Sequence, residues 1–542
     1  MLFNSYQFIF LFLPVTVLVF FMLGRVSRIW ALRWIIGASL FFYAWWRPLN
    51  VLIIAPSIVI NFILARVLQR LVAQNKSGAA KVTLLLGIAF NVAFLGYFKY
   101  ANFTVGAIDD VFGTQIVIAQ IILPLGISFI TFQKIAFLID VHAQRVESFT
   151  LQDYCLFVLF FPQLIAGPIV HYPEMMPQFH RARCTLDQDD VSVGLTLFVF
   201  GLFKKVLLAD SIAPLVTSIY DQAALGHPIS ILPAWMAAIG FTLQIYFDFS
   251  GYTDMALGIA RFFGIRLPPN FNSPLRASSI IDFWLRWHMT LTRFLTAYIY
   301  NPLTLALTRR RLAKGRAGLS GRKATLGAFV QLLMFPTLLT MLVSGIWHGA
   351  GYLFILWGLL HGMFLTVNHL WRIVIPKLWR DRASYARLMG PAGFVLTFLC
   401  VATSMVVFRS TTWRTASGLL QGMVGLNGIA LPELIYDRLA PLASLMNQAG
   451  IVRGLGPGVD FKWTMLWILI QGIIAFACPN SLQILSRNEP ALGWKAAPAG
   501  QSTDRAPILW KPSLAWAIVV VLVAAIGILH VGDKSEFLYW QF

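Results

Sequence analysis

Apolar residues in this chain fall into blocks long enough to cross the hydrocarbon core of a bilayer, which takes about 20 residues as a helix. The blocks lie at roughly 6–24, 30–46, 51–68, 82–98, 116–139, 151–170, 192–208, 230–256, 281–305, 326–345, 350–375, 390–408, 463–484 and 512–531. Pro162, Gly167 and Pro168 interrupt the block at 151–170, which favours a broken or re-entrant helix. We therefore predict an all-α polytopic integral membrane protein with about eleven to thirteen transmembrane helices plus re-entrant or interfacial helices.

The composition supports a membrane protein without a sizeable soluble domain. Hydrophobic residues make up 58% of the 542 residues and charged residues 12%. Soluble domains carry about 25% charged residues, so this chain has too few charges to cover a water-exposed surface. The four cysteines (Cys155, Cys184, Cys400 and Cys478) are scattered without metal-ligand spacing, which is typical of small buried hydrophobic residues.

The distribution of the +20 net charge predicts orientation in the membrane and argues against nucleic-acid binding. Basic residues cluster in short connections between apolar blocks, at 25–33, 66–81, 372–387 and, most densely, 309–323. Short basic connections mark the cytoplasmic side of a membrane protein. We therefore expect an external N-terminus, a cytoplasmic connection at 485–511, and an external tail after the last span.

Two histidines lie inside apolar segments, where ionisable side chains are costly and mark functional sites. His288 lies in the segment 281–291 and His348 in the segment 343–351. Histidine takes up and returns a proton near neutral pH, as a general acid or base must. Each histidine is a candidate catalytic residue, although a histidine that is merely hydrogen-bonded inside a helix bundle gives the same pattern.

A third histidine, His361, is expected to lie away from His348. If one helix runs through both, the thirteen steps between them turn it by about 220° and advance it by about 20 Å. On that geometry the two imidazoles would not share a site.

The segment 244–254 carries two carboxylates at predicted membrane depth. Asp248 and Asp254 are six residues apart, about 240° around a helix, which argues against a paired-carboxylate site. We expect them to pair with Arg261, Arg286 or Arg293 in a structural polar network. The sequence contains no metal-ligand cluster, phosphate-binding glycine loop or nucleophile elbow.

Several motifs resemble those of the membrane-bound O-acyltransferases, and in particular the bacterial branch that acetylates exported polysaccharides such as alginate. They keep the family's order across most of residues 1–375: Tyr43-Ala44-Trp45-Trp46, Gly96-Tyr97-Phe98-Lys99-Tyr100, Leu123-Pro124-Leu125-Gly126-Ile127-Ser128-Phe129, Phe161-Pro162-Gln163-Leu164-Ile165-Ala166-Gly167-Pro168, Tyr246-Phe247-Asp248-Phe249-Ser250-Gly251-Tyr252, Arg286-Trp287-His288 and Trp347-His348-Gly349. The chain departs from the branch's pattern at Leu285 and at 300–304. The acceptor is therefore left open among alginate, cellulose and other exported glycans.

The resemblance implies roles for individual residues and a division of the chain. His348 would be the catalytic histidine, acting as general base, and His288 the second active-site residue, orienting the donor or stabilising an oxyanion. Supporting positions would be Trp347, Trp287, Arg286, Asp248 and Tyr252. A catalytic core would span 1–375, peripheral helices and connecting loops 376–511, and a last transmembrane helix with a periplasmic aromatic tail 512–542.

The resemblance also implies a reaction across the bacterial inner membrane. Acetyl-CoA would be the cytoplasmic donor, with no bound cofactor and no metal, and the basic segment 309–323 would bind its phosphates. A periplasmic partner of the SGNH-esterase type, together with polysaccharide synthesis and export machinery, would complete O-acetylation. The tail holds Phe537, Tyr539 and Phe542. Its chemistry fits an interfacial aromatic anchor, whereas the resemblance makes Tyr539 a candidate acyl acceptor.

Two alternatives fit the same pattern. A transporter or export channel also places polar residues inside the membrane, although such proteins often contain internal repeats and we find none in this sequence. An acyltransferase of the same family could instead act on a lipid or a protein. Release of free CoA would separate either acyltransferase from a transporter.

Overall fold

The computed structural model describes residues 1–182, 184–316, 318, 325–379, 381–494, 508–532 and 538. The predicted acyl acceptor Tyr539 and its neighbours Phe537 and Phe542 lie outside the described residues, as do 317 and 319–323 of the basic segment.

The described chain is almost entirely helical, which confirms the predicted fold class. The α-helices, labelled α1 to α25 in chain order, are Leu13–Val26, Arg28–Ala44, Leu49–Ala73, Ser77–Leu95, Ala101–Phe112, Ile127–His142, Leu151–Leu159, Phe161–Leu164, Tyr172–Arg181, Gln188–Phe203, Asp210–Leu225, Ile231–Arg261, Ile280–Arg286, Met289–Leu295, Asn301–Ala313, Leu326–Phe329, Phe335–His348, Tyr352–Leu378, Arg382–Arg409, Trp413–Met423, Glu433–Arg438, Ala443–Gln448, Phe461–Ala477, Ser481–Ile484 and Leu514–Leu529. Strands β1 (Ile429–Leu431) and β2 (Ile451–Arg453) pair in parallel, with Ile429 opposite Ile451.

Short π-helical and 3₁₀ segments extend or join some of these helices. The π-helical segments are Phe8–Phe12, Gly96–Tyr100, Lys204–Ala209, Thr296–Tyr300 and Val330–Met334, and the 3₁₀ segments are Pro274–Arg276, Ala440–Leu442 and Ser486–Asn488. A π-helical turn inserts one extra residue per turn and is frequent near functional sites. Thr296–Tyr300 leads directly into α15, the helix that carries the basic run, and Val330–Met334 contacts that helix.

Eight continuous helical segments of the described chain are long and apolar enough to cross a membrane: Phe8–Val26, Leu49–Ala73, Ser77–Phe112, Gln188–Leu225, Ile231–Arg261, Leu326–His348, Tyr352–Ile375 and Arg382–Arg409. The apolar helices α23 and α25 are shorter, at 17 and 16 residues. The eight are fewer than the predicted eleven to thirteen, because some apolar blocks form shorter helices, such as α2 and α6. The block at 151–170 breaks after α7 into the short helix α8, as its prolines and glycine predicted.

The chain divides into two compact units. The first comprises the described residues of Met1–Phe203, Ser250–Asn270 and Ser481–Gln541. Within it, α10 and the last part of α12 touch backbone to backbone at two pairs of glycines. A Cβ at Gly201 would lie 2.5 Å from the carbonyl oxygen of Gly251, and a Cβ at Gly194 would lie 2.8 Å from the carbonyl oxygen of Gly258. Small residues permit this close helix packing in membranes.

The second unit comprises the described residues of Lys204–Phe249 and Phe271–Asn480. Its centre is a hairpin of α17 and α18, whose backbones approach at Gly345 and Gly358. A Cβ at Gly345 would lie 3.1 Å from the Cα of Gly358 and would collide with the carbonyl oxygen of Phe354. The hairpin turns because Gly349 and Gly351 both adopt extended backbone, so α17 ends at His348.

Candidate active site

His348 is the last residue of α17 and lies in an aromatic surround within the second unit. Its side chain is buried, with 5% of the residue exposed. The imidazole centroid lies 5.0 Å from that of Trp347, 5.1 Å from that of Trp357 and 5.3 Å from that of Phe408. These rings come from α17, α18 and α19, so three helices fix the position of one imidazole and keep it from bulk water.

His288 lies between α13 and α14 and has an unusual backbone conformation. Its φ is +43° and its ψ is 50°, in the left-handed region that residues other than glycine rarely adopt. The residue is 1% exposed, and its ring lies edge-on to Phe249, with centroids 4.8 Å apart at 88°. Strained backbone that the surrounding structure maintains is concentrated at functional sites, which supports the prediction that His288 is an active-site residue.

The structure brings the two predicted histidines together. Their ring centroids are 6.3 Å apart, with an interplanar angle of 60°, and Trp347 lies 6.1 Å from His288. Two imidazoles at this separation can address one reacting group, one accepting a proton and the other orienting or stabilising charge. The assignment of His348 as general base stays a prediction that this geometry permits.

His361 lies closer to this centre than the single-helix geometry predicted, because the chain reverses at 349–351 and His361 lies on α18. Trp357 contacts both histidines, at 5.1 Å from His348 and 4.7 Å from His361. The indole Nε1 of Trp284 donates to Nδ1 of His361 at 3.2 Å. Nε2 of His361 therefore carries the proton and donates to Oγ of Ser404 at 2.9 Å. Ser404 in turn donates to the carbonyl oxygen of Val401 at 2.7 Å.

We predicted an arginine partner for Asp248, whereas the structure places a lysine beside it. Lys205 lies 2.8 Å from Asp248 and 2.6 Å from Asp210, and the lysine and Asp248 are almost fully buried. Buried charges of this kind persist only when paired. Arg286, one of the expected arginines, lies 2.9 Å from Asp282 one turn away.

Asp254 and Arg261 belong to the first unit. Asp254 accepts a hydrogen bond from Ser481 at 2.6 Å. Arg261 lies 2.9 Å from Asp190. Both contacts stabilise the first unit and neither involves the two histidines.

The other predicted supporting residues have packing contacts. Trp287 stacks on Phe283, with centroids 5.5 Å apart and ring planes within 16° of each other. Tyr252 belongs to the first unit, where it stacks on Phe3 at 4.7 Å. Trp287 therefore adjoins His288 in the chain and packs on Phe283, whereas Tyr252 packs in the first unit.

A basic cavity lies where α15 meets the segment leading into α17. Its volume is about 390 Å³, and the described residues that line it include four cations and no carboxylate: Leu307, Arg310, Arg311, Lys314, Arg316, Val330, Gln331 and Phe335. The guanidinium of Arg311 is held in place by donating to Oε1 of Gln331 at 2.7 Å and to Oγ1 of Thr325 at 3.1 Å. The cavity fits an anionic ligand. Among the described residues no group of three His, Cys, Asp or Glu side chains could hold a metal ion.

Sequence reasoning did not single out Trp357, Phe408, Ser404 or Phe249 as site residues. An aromatic residue inside an apolar block gives the same sequence pattern whether its side chain faces lipid or a buried imidazole. Only the positions of the helices show which rings surround His348. Ser404 carried a weak signal, since it is a hydroxyl in the middle of an apolar block.

The sequence was compared with known proteins. A family model described as MBOAT, membrane-bound O-acyltransferase family, matches residues 144–320. A peptidoglycan O-acetyltransferase of Helicobacter pylori is 37% identical over 519 residues, which are 90% of this chain and 91% of that protein. A probable alginate O-acetylase AlgI of Pseudomonas aeruginosa is 33% identical over 566 residues, covering 100% of both chains.

A more distant relative shares only part of its length with this chain. The teichoic acid D-alanyltransferase of Bacillus subtilis is 30% identical over 287 residues, 52% of this chain and 68% of that protein. The extended identity to the first two relatives, together with the helical fold, establishes the enzyme class. The chain belongs to the membrane-bound O-acyltransferase family and is a multi-pass membrane O-acetyltransferase.

Proposed function

We propose that this enzyme moves an acetyl group from cytoplasmic acetyl-CoA, across the bacterial inner membrane, for O-acetylation of an exported polysaccharide. The observation that carries the proposal is the buried pair of His288 and His348, 6.3 Å apart, in a chain of the O-acyltransferase family. Because the chain belongs to that family, the acyltransferase assignment takes precedence over the alternative of a transporter or export channel. The full-length relatives named for alginate and for peptidoglycan favour an exported glycan over a lipid or protein acceptor.

The basic cavity supports a donor that carries phosphates. Arg310, Lys314 and Arg316 line it beside Arg311, and charge-assisted hydrogen bonds from such groups bind phosphate strongly. The cavity also includes Phe335, the first residue of α17, whereas His348 is the last. The thirteen steps between them advance the helix by about 20 Å, a distance that an extended pantetheine arm can bridge.

The face of α17 that leads to His348 supports the same donor. Thr337, Thr340 and Ser344 are buried and recur at helical spacing before His348, so the four side chains share one side of the helix. Hydroxyl groups along that side can bond the amides of a pantetheine arm. The donor would thus enter at the basic cavity with its thioester directed toward His348.

In the proposed reaction, His348 removes the proton from an acceptor hydroxyl while the hydroxyl oxygen attacks the acyl carbon. The carbonyl electron pair moves to its oxygen, giving a tetrahedral oxyanion, and His288 orients the donor or stabilises that charge. Collapse re-forms the carbonyl and breaks the carbon–sulfur bond, and the thiolate takes the proton from His348. The burial of both histidines limits hydrolysis of the thioester by water.

We propose that Tyr539 in the external tail receives the acyl group and presents it to a periplasmic SGNH-type partner. The support is the resemblance of the tail to that of the polysaccharide-acetylating branch.

Peptidoglycan is a second candidate for the final acceptor, beside the exported polysaccharide. It is favoured by the higher identity to the Helicobacter pylori enzyme than to the Pseudomonas aeruginosa protein, 37% against 33%. Both candidates for the final acceptor are glycans outside the membrane. The donor half of the reaction, in which the acetyl group leaves acetyl-CoA, is therefore the same for either.

The donor half can be tested with purified protein in nanodiscs and acetyl-CoA labelled in the acetyl group. We expect free CoA and labelled protein from the wild type, loss of both in His348→Ala, and loss of the protein label in Tyr539→Phe. The exposed histidine variant His227→Ala controls for removal of an imidazole. Wild-type protein that neither releases CoA nor acquires label, even with membranes that supply partners, would refute the donor assignment.

The acceptor can be tested in cells that express the wild type or His348→Ala. Mass spectrometry of purified exopolysaccharide and of digested peptidoglycan would show which glycan loses acetyl groups in the variant. Loss from peptidoglycan alone would favour the second acceptor. Retention of acetyl groups on both glycans would exclude both assignments.

A further inference from the structure

Trp357 is buried beside the proposed catalytic histidine. The residue is 1% exposed, and its ring lies nearly perpendicular to that of His348, with centroids 5.1 Å apart at 86°. The ring centroids of Phe408 and His361 lie 5.1 Å and 4.7 Å from that of Trp357. Trp357 is therefore part of the wall that surrounds His348.

The indole N–H of Trp357 has no hydrogen-bond acceptor within the described part of the chain, and its nitrogen is shielded from solvent. His361, the nearest imidazole, cannot accept it. Its Nδ1 already accepts from Trp284, and its Nε2 donates to Ser404. A buried donor without an acceptor destabilises a protein, and a phenylalanine would place an aromatic ring here without that cost. The N–H therefore indicates a ligand that brings an acceptor.

We infer that Trp357 is a catalytic residue that donates its indole N–H to the carbonyl oxygen of the acyl group. The inference rests on the proposed function in one respect, that His348 is the base. An acyl group that reacts beside His348 also lies close to Trp357. The ligand class is an acyl thioester, whose carbonyl oxygen is an acceptor in the ground state and a stronger one in the transition state.

The donor would act at the step in which charge develops. As the acceptor oxygen bonds to the acyl carbon, the carbonyl electron pair moves onto oxygen, and the Trp357 N–H stabilises the resulting oxyanion. When the carbon–sulfur bond breaks, the pair returns to form the carbonyl and the hydrogen bond weakens. The indole loses no proton, and His348 carries the transferred proton from the acceptor hydroxyl to the leaving thiolate.

The decisive variant replaces Trp357 with 3-benzothienylalanine, which keeps the shape of the indole and has sulfur in place of the N–H. We expect its kcat with acetyl-CoA to fall about 100-fold, the usual effect of losing one oxyanion donor, with a smaller change in KM. Its thermal stability should equal or exceed that of the wild type, because no intramolecular hydrogen bond is lost. Trp357→Phe should show the same fall in kcat.

Trp235→Phe is the matched control, because the indole of Trp235 donates to the carbonyl oxygen of Met423 at 3.0 Å. It should lower thermal stability and leave kcat unchanged. A benzothienylalanine variant that turns over at the wild-type rate would overturn the role of Trp357, even if His348→Ala is inactive. An active His348→Ala would instead refute the proposed function, so the two failures can be told apart.

Discussion

The imidazole of His288 lies 6.3 Å from that of His348 because the backbone of His288 adopts a left-handed conformation with φ of +43°. For a residue with a Cβ this conformation costs about 1–2 kcal/mol. His288 is also the residue just before α14, and only Trp287 separates it from the end of α13. The strain and the position of the ring are therefore consequences of the same turn.

This relationship predicts opposite effects of glycine on stability and activity. His288→Gly and His288→Ala should both lower turnover by about 100-fold or more, since both remove the imidazole. His288→Gly should be the more stable of the two by about 1 kcal/mol, because glycine adopts positive φ freely. Thermal unfolding in nanodiscs checks the difference.

The helical residue Thr292 provides the control for this pair. There the order should reverse, with Thr292→Gly less stable than Thr292→Ala by about 1 kcal/mol. Finding that alanine is the more stable replacement at 288 as well would contradict the strained backbone.

The hydrogen bond between His361 and Ser404 predicts a stability effect separate from catalysis. Ser404→Ala leaves Nε2 of His361 without its acceptor at 2.9 Å, which should cost about 1–3 kcal/mol. Ser404→Thr keeps the hydroxyl and should retain most of the stability. Ser410→Ala is the control, since Ser410 donates only to the carbonyl oxygen of Val406 and its loss strands no buried donor. Equal unfolding temperatures for Ser404→Ala and Ser410→Ala would count against this chain of hydrogen bonds.

The sequence identified the residues whose chemistry is costly in a membrane. His288 and His348 were singled out because ionisable side chains are rare inside apolar segments, and the structure brings them together. The aromatic surround was not predictable in the same way. The chain holds 18 Trp and 44 Phe, so that residue type alone could not mark Trp357 or Phe408.

Two other features depended on geometry that pattern reasoning could not supply. Lys205 lies at the end of an apolar block next to Lys204, where basic residues commonly flank a membrane span, and its burial became visible only in the structure. The expected separation of His361 from His348 assumed one helix through Gly349 and Gly351. Extended backbone at those glycines reverses the chain, so the rotation argument does not apply.

The contact between α17 and α18 predicts that Gly345 is essential for the position of His348. In Gly345→Ala the new Cβ would collide with the carbonyl oxygen of Phe354, so the helices must separate at a cost of about 1–3 kcal/mol. Turnover should fall together with the unfolding temperature. Gly390→Ala on α19 is the control, because nothing lies within 4 Å of its Cβ position. An unchanged unfolding temperature in Gly345→Ala would show that the two helices are less closely packed.

The buried ion pairs of Lys205 predict that two substitutions will have non-additive effects on the free energy of unfolding. Lys205→Met leaves two carboxylates without their shared cation and should cost about 3–5 kcal/mol. Combining it with Asp248→Asn removes one of the stranded charges, so the double variant should be more stable than Lys205→Met alone. Unfolding measurements on the two single variants and the double variant give the coupling directly. Arg453→Met removes an exposed cation from Asp437 and should have little effect.

The basic cavity predicts a change in donor affinity without a change in chemistry. Arg310→Gln combined with Lys314→Gln should raise KM for acetyl-CoA about tenfold or more, with kcat retained, because each charged hydrogen bond contributes about 1.5–3 kcal/mol. Added salt should narrow the difference from the wild type. The control is Arg70→Gln with Lys81→Gln, which removes two exposed cations from another basic connection. Acetyl-pantetheine, which lacks the phosphates, should be used equally well by the wild type and the cavity variant. A KM for acetyl-pantetheine that rises as much as that for acetyl-CoA would mean that the cavity shapes the site without binding phosphate.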